Sequence, residues 1–437
     1  MIPIVTLRQL ESDARFSSIL SRELTFDPSI EAVVRDIIDN VRTRGDAAVL
    51  DYTRRFDGVD LGAIECVPKE VIEELHAKVH DDFLDALREA IGNVRRFHEF
   101  QVRESYWMDG PDGSRLGLRF TPLAAVGLYV PGGAGAYPSS IVMNAVPAQV
   151  AGVDRIAVVT PPGQFRENPH VAAALYELGI DEVYTVGGAQ AVAALAFGTE
   201  SIPRVDKIVG PGNMYVAVAK KQVFGQVDID MVAGPSEIVV VADESADPVF
   251  AAADLLSQAE HGSGMEMALL LTTSNELAHT VRDELYRQVR ELQHAETVKK
   301  VLDANALVVV RDLDEAAGAV NRISPEHLEL MVRDTESLLG KIKNAGAIFL
   351  GAYSPEPISD YFAGPNHVLP TSGAARYASP LGVYDFQKCS NVVEYTKAAV
   401  KACAGKVDIL ARSEGFDAHA RAVNVRVTKL QSGKVAK

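Results

Sequence analysis

AAVGLYV (Ala124–Val130) runs into PGGAGAYP (131–138), and a helix-like SSIVMNAVPAQVAG (139–152) follows. The order then recurs. RIAVVTPP (155–162) reads as a strand, HVAAALYELG (170–179) as a helix, EVYTVGG (182–188) as a strand and AQAVAALAFG (189–198) as a helix. KIVGPGN (207–213) followed by MYVAVAKKQVF (214–224) repeats the theme. Strand, glycine turn and helix in this order predict a parallel α/β sheet with βαβ crossovers.

Outward from this stretch a second series begins at GPSEIVVVAD (234–243). A helix is expected through Asp254 to His261, then the strand MALLLTT (267–273), a helix near Leu277 to Leu292, LVVV (307–310) and a helix around Leu313 to Val320. GAIFLG (346–351) reads as another buried strand. The expected fold is therefore α/β, with two similar Rossmann-like open parallel sheets. On the N-terminal side, Ser29–Tyr52 carries a helical apolar pattern interrupted near Gly45, and one long pattern runs from Pro68 to Phe100. From about Leu381 the chain reads as mostly helical and charged, too small to hold a large core alone.

The 437 residues are 47% hydrophobic and 23% charged, with a formal charge of −16. An acidic surface repels phosphate backbones, which argues against a nucleic-acid partner. Cys66, Cys389 and Cys403 are odd in number and form no C-x-x-C pair, so ordinary buried or semi-buried thiols are expected. The start MIPIVTLRQLESDARF lacks a basic segment followed by a long apolar run, and no stretch approaches the ~20 apolar residues needed to span a bilayer. A cytoplasmic protein without membrane partners is expected.

Glycine corners stand at Gly132-Gly133, Gly187-Gly188, Gly210-Pro-Gly212 and Gly234-Pro235. In an open α/β sheet ligands gather at the carboxyl ends of strands, where such turns lead into helix N-termini. Residues 132–137 read GGAGAY and miss the dinucleotide fingerprint, so spacing leaves any nucleotide unidentified.

Polar residues with metal and acid–base chemistry are scattered. Gln258 and His261 in LLSQAEHG are three apart on one predicted helix face. Asp360 and His367 share the loop SDYFAGPNH, and Glu414 and His419 lie in the tail. Imidazole nitrogen and carboxylate oxygen both suit Zn²⁺. Glu326-His327 in SPEHLELM pairs an acid with a base at the head of an apolar run, the residue types that move protons near neutrality.

YVPGG, MNAVPAQVAGV, VGGAQAVAALAFGT, KIVGPGN, DIDMVAGPSE, LLSQAEH, PEHLEL, AGPNHVLPT and the E-x-x-x-x-H of the tail together resemble the histidinol dehydrogenases, over nearly the whole chain. The resemblance implies a zinc-dependent, NAD-linked four-electron oxidation of L-histidinol to L-histidine through L-histidinaldehyde, the last step of histidine biosynthesis. It implies one zinc per subunit on Gln258, His261, Asp360 and His419, with His327 as acid/base and Glu326 activating water. Tyr129, Gln190 and Asn213 match positions that contact NAD. Ser236, Gln258, His261, His327, Asp360, His367, Glu414 and His419 match positions around the substrate.

It further implies a domain-exchanged homodimer. Residues 1–23 would form an arm, 24–129 with 236–381 one α/β domain, 130–235 the NAD-contacting domain, and 382–437 a helical segment given to the partner. The chain departs from the family pattern at Gly262, Ser324, Ser359 and Phe416. The residues alone leave open a related dehydrogenase acting on another small alcohol, such as a sulfonated diol, although PEHLEL and the Glu414/His419 pair favour histidinol.

Overall fold

Strands buried on both faces of a parallel sheet are continuous apolar runs, and Glu237–Ala242 and Met267–Thr272 are buried at every residue. The computed structural model describes residues 2–20, 24–132, 137–261 and 264–431. Of the positions read above, Gly133 and the rest of its corner to 136, Gly262, the end of the arm at 21–23 and the last residues of the tail from 432 lie outside them.

In chain order the strands are β1 (Ile4–Thr6), β2 (Tyr106–Asp109), β3 (Arg115–Pro122), β4 (Ala125–Tyr129), β5 (Arg155–Val159), β6 (Val183–Tyr184), β7 (Lys207–Val209), β8 (Asp228–Ile229), β9 (Glu237–Ala242), β10 (Met267–Thr272), β11 (Leu307–Val309), β12 (His327–Met331), β13 (Ala347–Leu350) and β14 (Gln387–Glu394). One parallel sheet has the order β6-β5-β4-β7-β8, and the other β1-β11-β10-β9-β12-β13. Counting from the first strand of each series, both read 3-2-1-4-5, with β1 added beside β11. The two similar open sheets are thus present, each with its strand order reversing beside its first strand.

Side-chain alternation splits each sheet between two cores. In the larger sheet Val239, Val241, Leu269, Leu271, Leu328 and Leu330 face one core. Ile238, Val240, Ala242, Ala268, Leu270 and Met331 face the other. In the smaller sheet Ala157, Val159 and Ile208 join the helices Pro28–Arg44 and Gly188–Phe197. Val126, Leu128, Val158 and Val209 join the helix Pro138–Ala151 on the opposite face.

The chain divides into two compact units. Met1–Gln101 with Leu123–Phe386 holds both parallel sheets. Val102–Pro122 with Gln387–Lys437 holds the antiparallel sheet β14-β3-β2 and the helices Lys397–Ser413 and Asp417–Gln431. This second unit exposes Ile409 and Leu410 at 69% and 65%, more apolar surface than a solvated helix needs.

The structure corrects several local readings. The single helical pattern over 68–100 is two helices, Lys69–His76 and Asp81–Glu99, because the His80 side chain accepts from Asp82 N and starts a new helix. The helix read to His261 is Pro248–Ala259, so His261 stands beyond its end. GAIFLG forms an edge strand with Ile348 exposed, rather than a buried one. The start of the tail is strand β14 and not helix. Cys66 and Cys389 are exposed free thiols, and Cys403 is half-buried. Among the described residues no helix is long and apolar enough to cross a membrane.

Candidate active site

The GPGN turn (210–213) leaves β7 at its carboxyl end, whereas Ser236 and Glu326-His327 stand at the amino ends of β9 and β12. One cavity of about 370 Å³ is lined by both sets. The cavity therefore lies at the carboxyl ends of the strands in the smaller sheet only. The larger sheet presents the opposite ends of its strands to the same space.

Asn213, Ser236, His261, Glu326, His327, Asp360 and His367, all named from the sequence, line this cavity. His327 is buried as the first residue of β12, and its Nδ1 stands 3.0 Å from the Glu237 carbonyl oxygen. A carbonyl only accepts, so Nδ1 carries the hydrogen. The other nitrogen, Nε2, lies 3.8 Å from Asp360 Oδ1 and has no hydrogen-bond partner among the described residues. Burial opposes a charge on His327, but the carboxylates of Glu326, 3.6 Å from Nδ1, and of Asp360 outweigh it and push the imidazole up to about 10. Burial, reinforced by the nearby charge of Glu237, pushes Glu326 up to about 8. One Glu326 oxygen accepts from Glu237 N at 2.8 Å.

Asp360 lies in a π-helical turn, Ser359–Ala363. Although burial works against its charge, His327 and His367 hold Asp360 below the usual carboxylate range. His367 Nδ1 is bonded to the Asp360 carbonyl oxygen at 3.1 Å, and desolvation pulls this imidazole down. Gln258 is wholly buried, with its Oε1 unpartnered among the described residues and its Nε2 3.3 Å from His261 Nδ1.

Gln258 itself does not line the cavity, but its orphaned amide beside the cavity-lining His261, together with the Asp360 carboxylate, makes a donor set that suits Zn²⁺. Ligand atoms of His327, Glu356 and Asp360 also lie within 4.8 Å of one another. Glu356 was not singled out from the sequence, although it precedes Asp360 by one helical turn. It is buried, accepts from Ser257 Oγ at 2.9 Å, and is pushed up to about 7 by burial. Behind it lie two further buried carboxyls, Glu329 and Asp254, both raised by burial and the latter to about 6.

Tyr129 and Gln190 are buried at the end of β4 and in the first turn of the helix Gly188–Phe197, and neither lines the cavity. The Tyr129 hydroxyl accepts from Gly188 N at 2.9 Å, and burial pushes it up to about 12. Neither amide atom of Gln190 has a partner among the described residues. The GPGN turn is held by a buried ion pair. Lys220 Nζ donates to Gly210 O at 2.9 Å and pairs with Asp230, which accepts from Gly210 N at 2.8 Å. Gly210 has φ +112°, and a Cβ there would run into the Tyr129 carbonyl oxygen.

Glu414 and His419 belong to the second unit. Glu414 caps the helix Lys397–Ser413 and His419 stands in the first turn of the helix Asp417–Gln431, both exposed, with the His419 ring 5.1 Å from that of Phe416.

A family model described as histidinol dehydrogenase matches residues 20–427. The histidinol dehydrogenase of Geobacillus kaustophilus is 53% identical over 398 residues, 91% of this chain and 93% of that one. That of Heliobacterium mobile is 48% identical over 432 residues, 98% of this chain and all of the relative. The crystal structure of histidinol dehydrogenase from Elizabethkingia anophelis superposes with a TM-score of 0.91 at 33% identity, covering 98% of this chain and 99% of that one. With this similarity along nearly its whole length, the chain belongs to the histidinol dehydrogenase family and is an oxidoreductase.

Proposed function

We propose that the chain oxidises L-histidinol to L-histidine through L-histidinaldehyde, with NAD as acceptor and zinc as the site metal, at the end of histidine biosynthesis. The observation that carries this reading is the state of His327: one nitrogen is committed to the Glu237 carbonyl, and the other is unpartnered in a cavity shared with Asp360, His261 and Glu326. In balance, L-histidinol, two NAD⁺ and water give L-histidine, two NADH and three protons.

Zinc, held by Gln258, His261 and Asp360 with His419 of a second copy, would act as a Lewis acid that binds and orients substrate nitrogen and oxygen. Asn213 at the cavity, and Tyr129 and Gln190 buried outside its lining, are the residues assigned to hold NAD, which when bound would supply the hydride acceptor for each oxidation. His327 Nε2, entering each cycle neutral, takes the hydroxyl proton in the first oxidation. A cationic substrate and a metal both oppose the positive charge that the carboxylates favour on His327, and so free Nε2 as a base. In the second stage Glu326 takes a proton from water attacking the aldehyde, a task served by a carboxyl poised near neutrality. His327, having released its first proton to solvent between the two oxidations, then takes the proton from the resulting diol. Ser236, His367 and Glu414 would complete the substrate pocket. Retaining the aldehyde in this cavity until the second oxidation limits its loss to bulk water.

A homodimer fits the apolar surface of the second unit, with its exposed Ile409 and Leu410. The test is the yield of NADH from a limiting amount of L-histidinol, with zinc present and then chelated. Two NADH per substrate, lost on chelation and restored by zinc, is the expected result. No NADH from histidinol with a folded, zinc-loaded protein would overturn the reading and direct the search to other small alcohols.

A further inference from the structure

Glu237 opens the central strand β9 as a wholly buried charge ahead of Ile-Val-Val-Val-Ala. It does not line the cavity, yet both groups assigned to proton transfer hang on it. Its carbonyl oxygen holds His327 Nδ1 at 3.0 Å, and its N–H holds a Glu326 carboxylate oxygen at 2.8 Å. Its own carboxylate binds two backbone N–H groups: Oε2 accepts from Glu326 N at 3.2 Å, and Oε1 from Ser372 N at 2.7 Å.

The two segments gripped in this way carry strained backbone. Among the described residues the non-glycine positions of positive φ are Asp112, Ser324 and Ser372. Ser324 (φ +53°) lies two residues before Glu326, and Ser372 (φ +54°) is itself a partner of Glu237. Such a residue is strained and persists only where neighbours hold it. The approach is also close. A Cβ on Gly346 would lie 2.6 Å from Glu326 O, and one on Gly234 would collide with the Ser372 hydroxyl. Two strained turns and the head of a central strand therefore meet around one carboxylate.

We propose that Glu237 is a positioning residue for the acid–base pair, its carboxylate fixing the backbone from which Glu326 and His327 project. Two charge-assisted bonds to backbone N–H groups supply both direction and strength. Strand pairing alone does not supply the first of them: His327 pairs with Ile238, and Glu326 lies beyond the end of β12. Without the carboxylate the peptide before Glu326 has no anchor on the β9 side, and a displacement of an ångström in a reacting group costs roughly 10²-fold in rate. The zinc donors Gln258, His261 and Asp360 come from other segments, so metal and substrate binding are left intact.

The inference rests on the proposed oxidation, and the test separates the two. Glu237→Gln keeps the shape but turns one acceptor into a donor facing an N–H, and Glu237→Ala removes both acceptors. The expected result is a folded, zinc-loaded protein with an unchanged KM for L-histidinol and a kcat lowered about tenfold in the first variant and about 10²-fold in the second. A second readout needs no turnover. The His327 Nδ1–H proton, identified by its absence in His327→Asn, should give a solvent-protected NMR signal in the wild type and lose that protection in Glu237→Ala. An unchanged kcat and an unchanged signal would overturn the proposal. So would zinc content and melting temperature falling together with kcat while KM rises in Glu237→Gln, which would make Glu237 a general fold determinant. If the wild type fails to oxidise histidinol while the NMR signal responds as described, the functional reading falls and the role of Glu237 stands.

Discussion

Lys220 and Asp230 form an ion pair buried at both ends, and between them they bind the carbonyl and the N–H of Gly210. The pair converts a glycine turn at the mouth of the cavity into a rigid corner. Removing one partner strands the other charge in the interior, which costs about 3–5 kcal/mol, whereas replacing both by neutral groups of similar size costs much less. Lys220→Met is expected to lower the thermal midpoint strongly, and Lys220→Met with Asp230→Asn to recover most of the loss. Additive losses in a thermal melt would show that the pair does not act as a unit.

His327→Asn removes a base but no assigned zinc donor. Turnover should fall by about 10²–10⁴-fold, the range for loss of a general acid–base group. Zinc measured by elemental analysis should stay at the wild-type ratio. Metal lost in step with activity would move His327 into the ligand set, beside Glu356 and Asp360.

Gln258→Leu tests the orphaned amide. The wild-type side chain is buried with an oxygen lacking a partner, a burden of ~1–3 kcal/mol in the metal-free protein. The variant should melt at or above the metal-free wild type and fail to retain zinc. Retention of a full zinc equivalent after dialysis would remove Gln258 from the donor set.

The metal-free protein should lose stability as pH rises. Glu326 and Glu356 are raised to about 8 and about 7, so between the ordinary carboxylate range and those values the folded state binds protons that the unfolded state has released. His327, raised to about 10, extends the same sign through alkaline pH. Each extra proton held by the folded state tilts stability by about 1.4 kcal/mol per pH unit. Thermal melts from pH 5 to pH 9 should therefore slope downward, and Glu326→Gln should flatten the slope below pH 8. An upward slope over that interval would contradict the direction of these shifts.

The parallel sheets were legible because strands such as Ile238–Ala242 and Met267–Thr272 must be apolar on both faces, a signal carried by composition within a few residues. The antiparallel sheet was not. All four residues of β2 are exposed, and most of β14 is too, so neither alternation nor an apolar run marks them. Residue chemistry likewise pointed to Glu326 and His327, which stand out in a short polar pair. Glu237 and Glu356 escaped notice because their significance comes from partners about 90 and 100 positions away, Glu326 and Ser257, and no local pattern encodes such meetings. Where His261 fell past its helix, the reading failed for the opposite reason: the helical period continued in the letters after the backbone had turned.

The opposed polarity of the two sheets leaves the carboxyl-end rim of the larger sheet away from the cavity. In the larger sheet the chain delivers its reactive side chains before entering β9 and β12, then travels the full length of each strand away from them. The turns after Ala242 and Met331 thus sit roughly 17 Å from the chemistry, at about 3.3 Å per strand residue. That far rim is the natural place to graft an affinity peptide or a fluorescent reporter without touching the reaction.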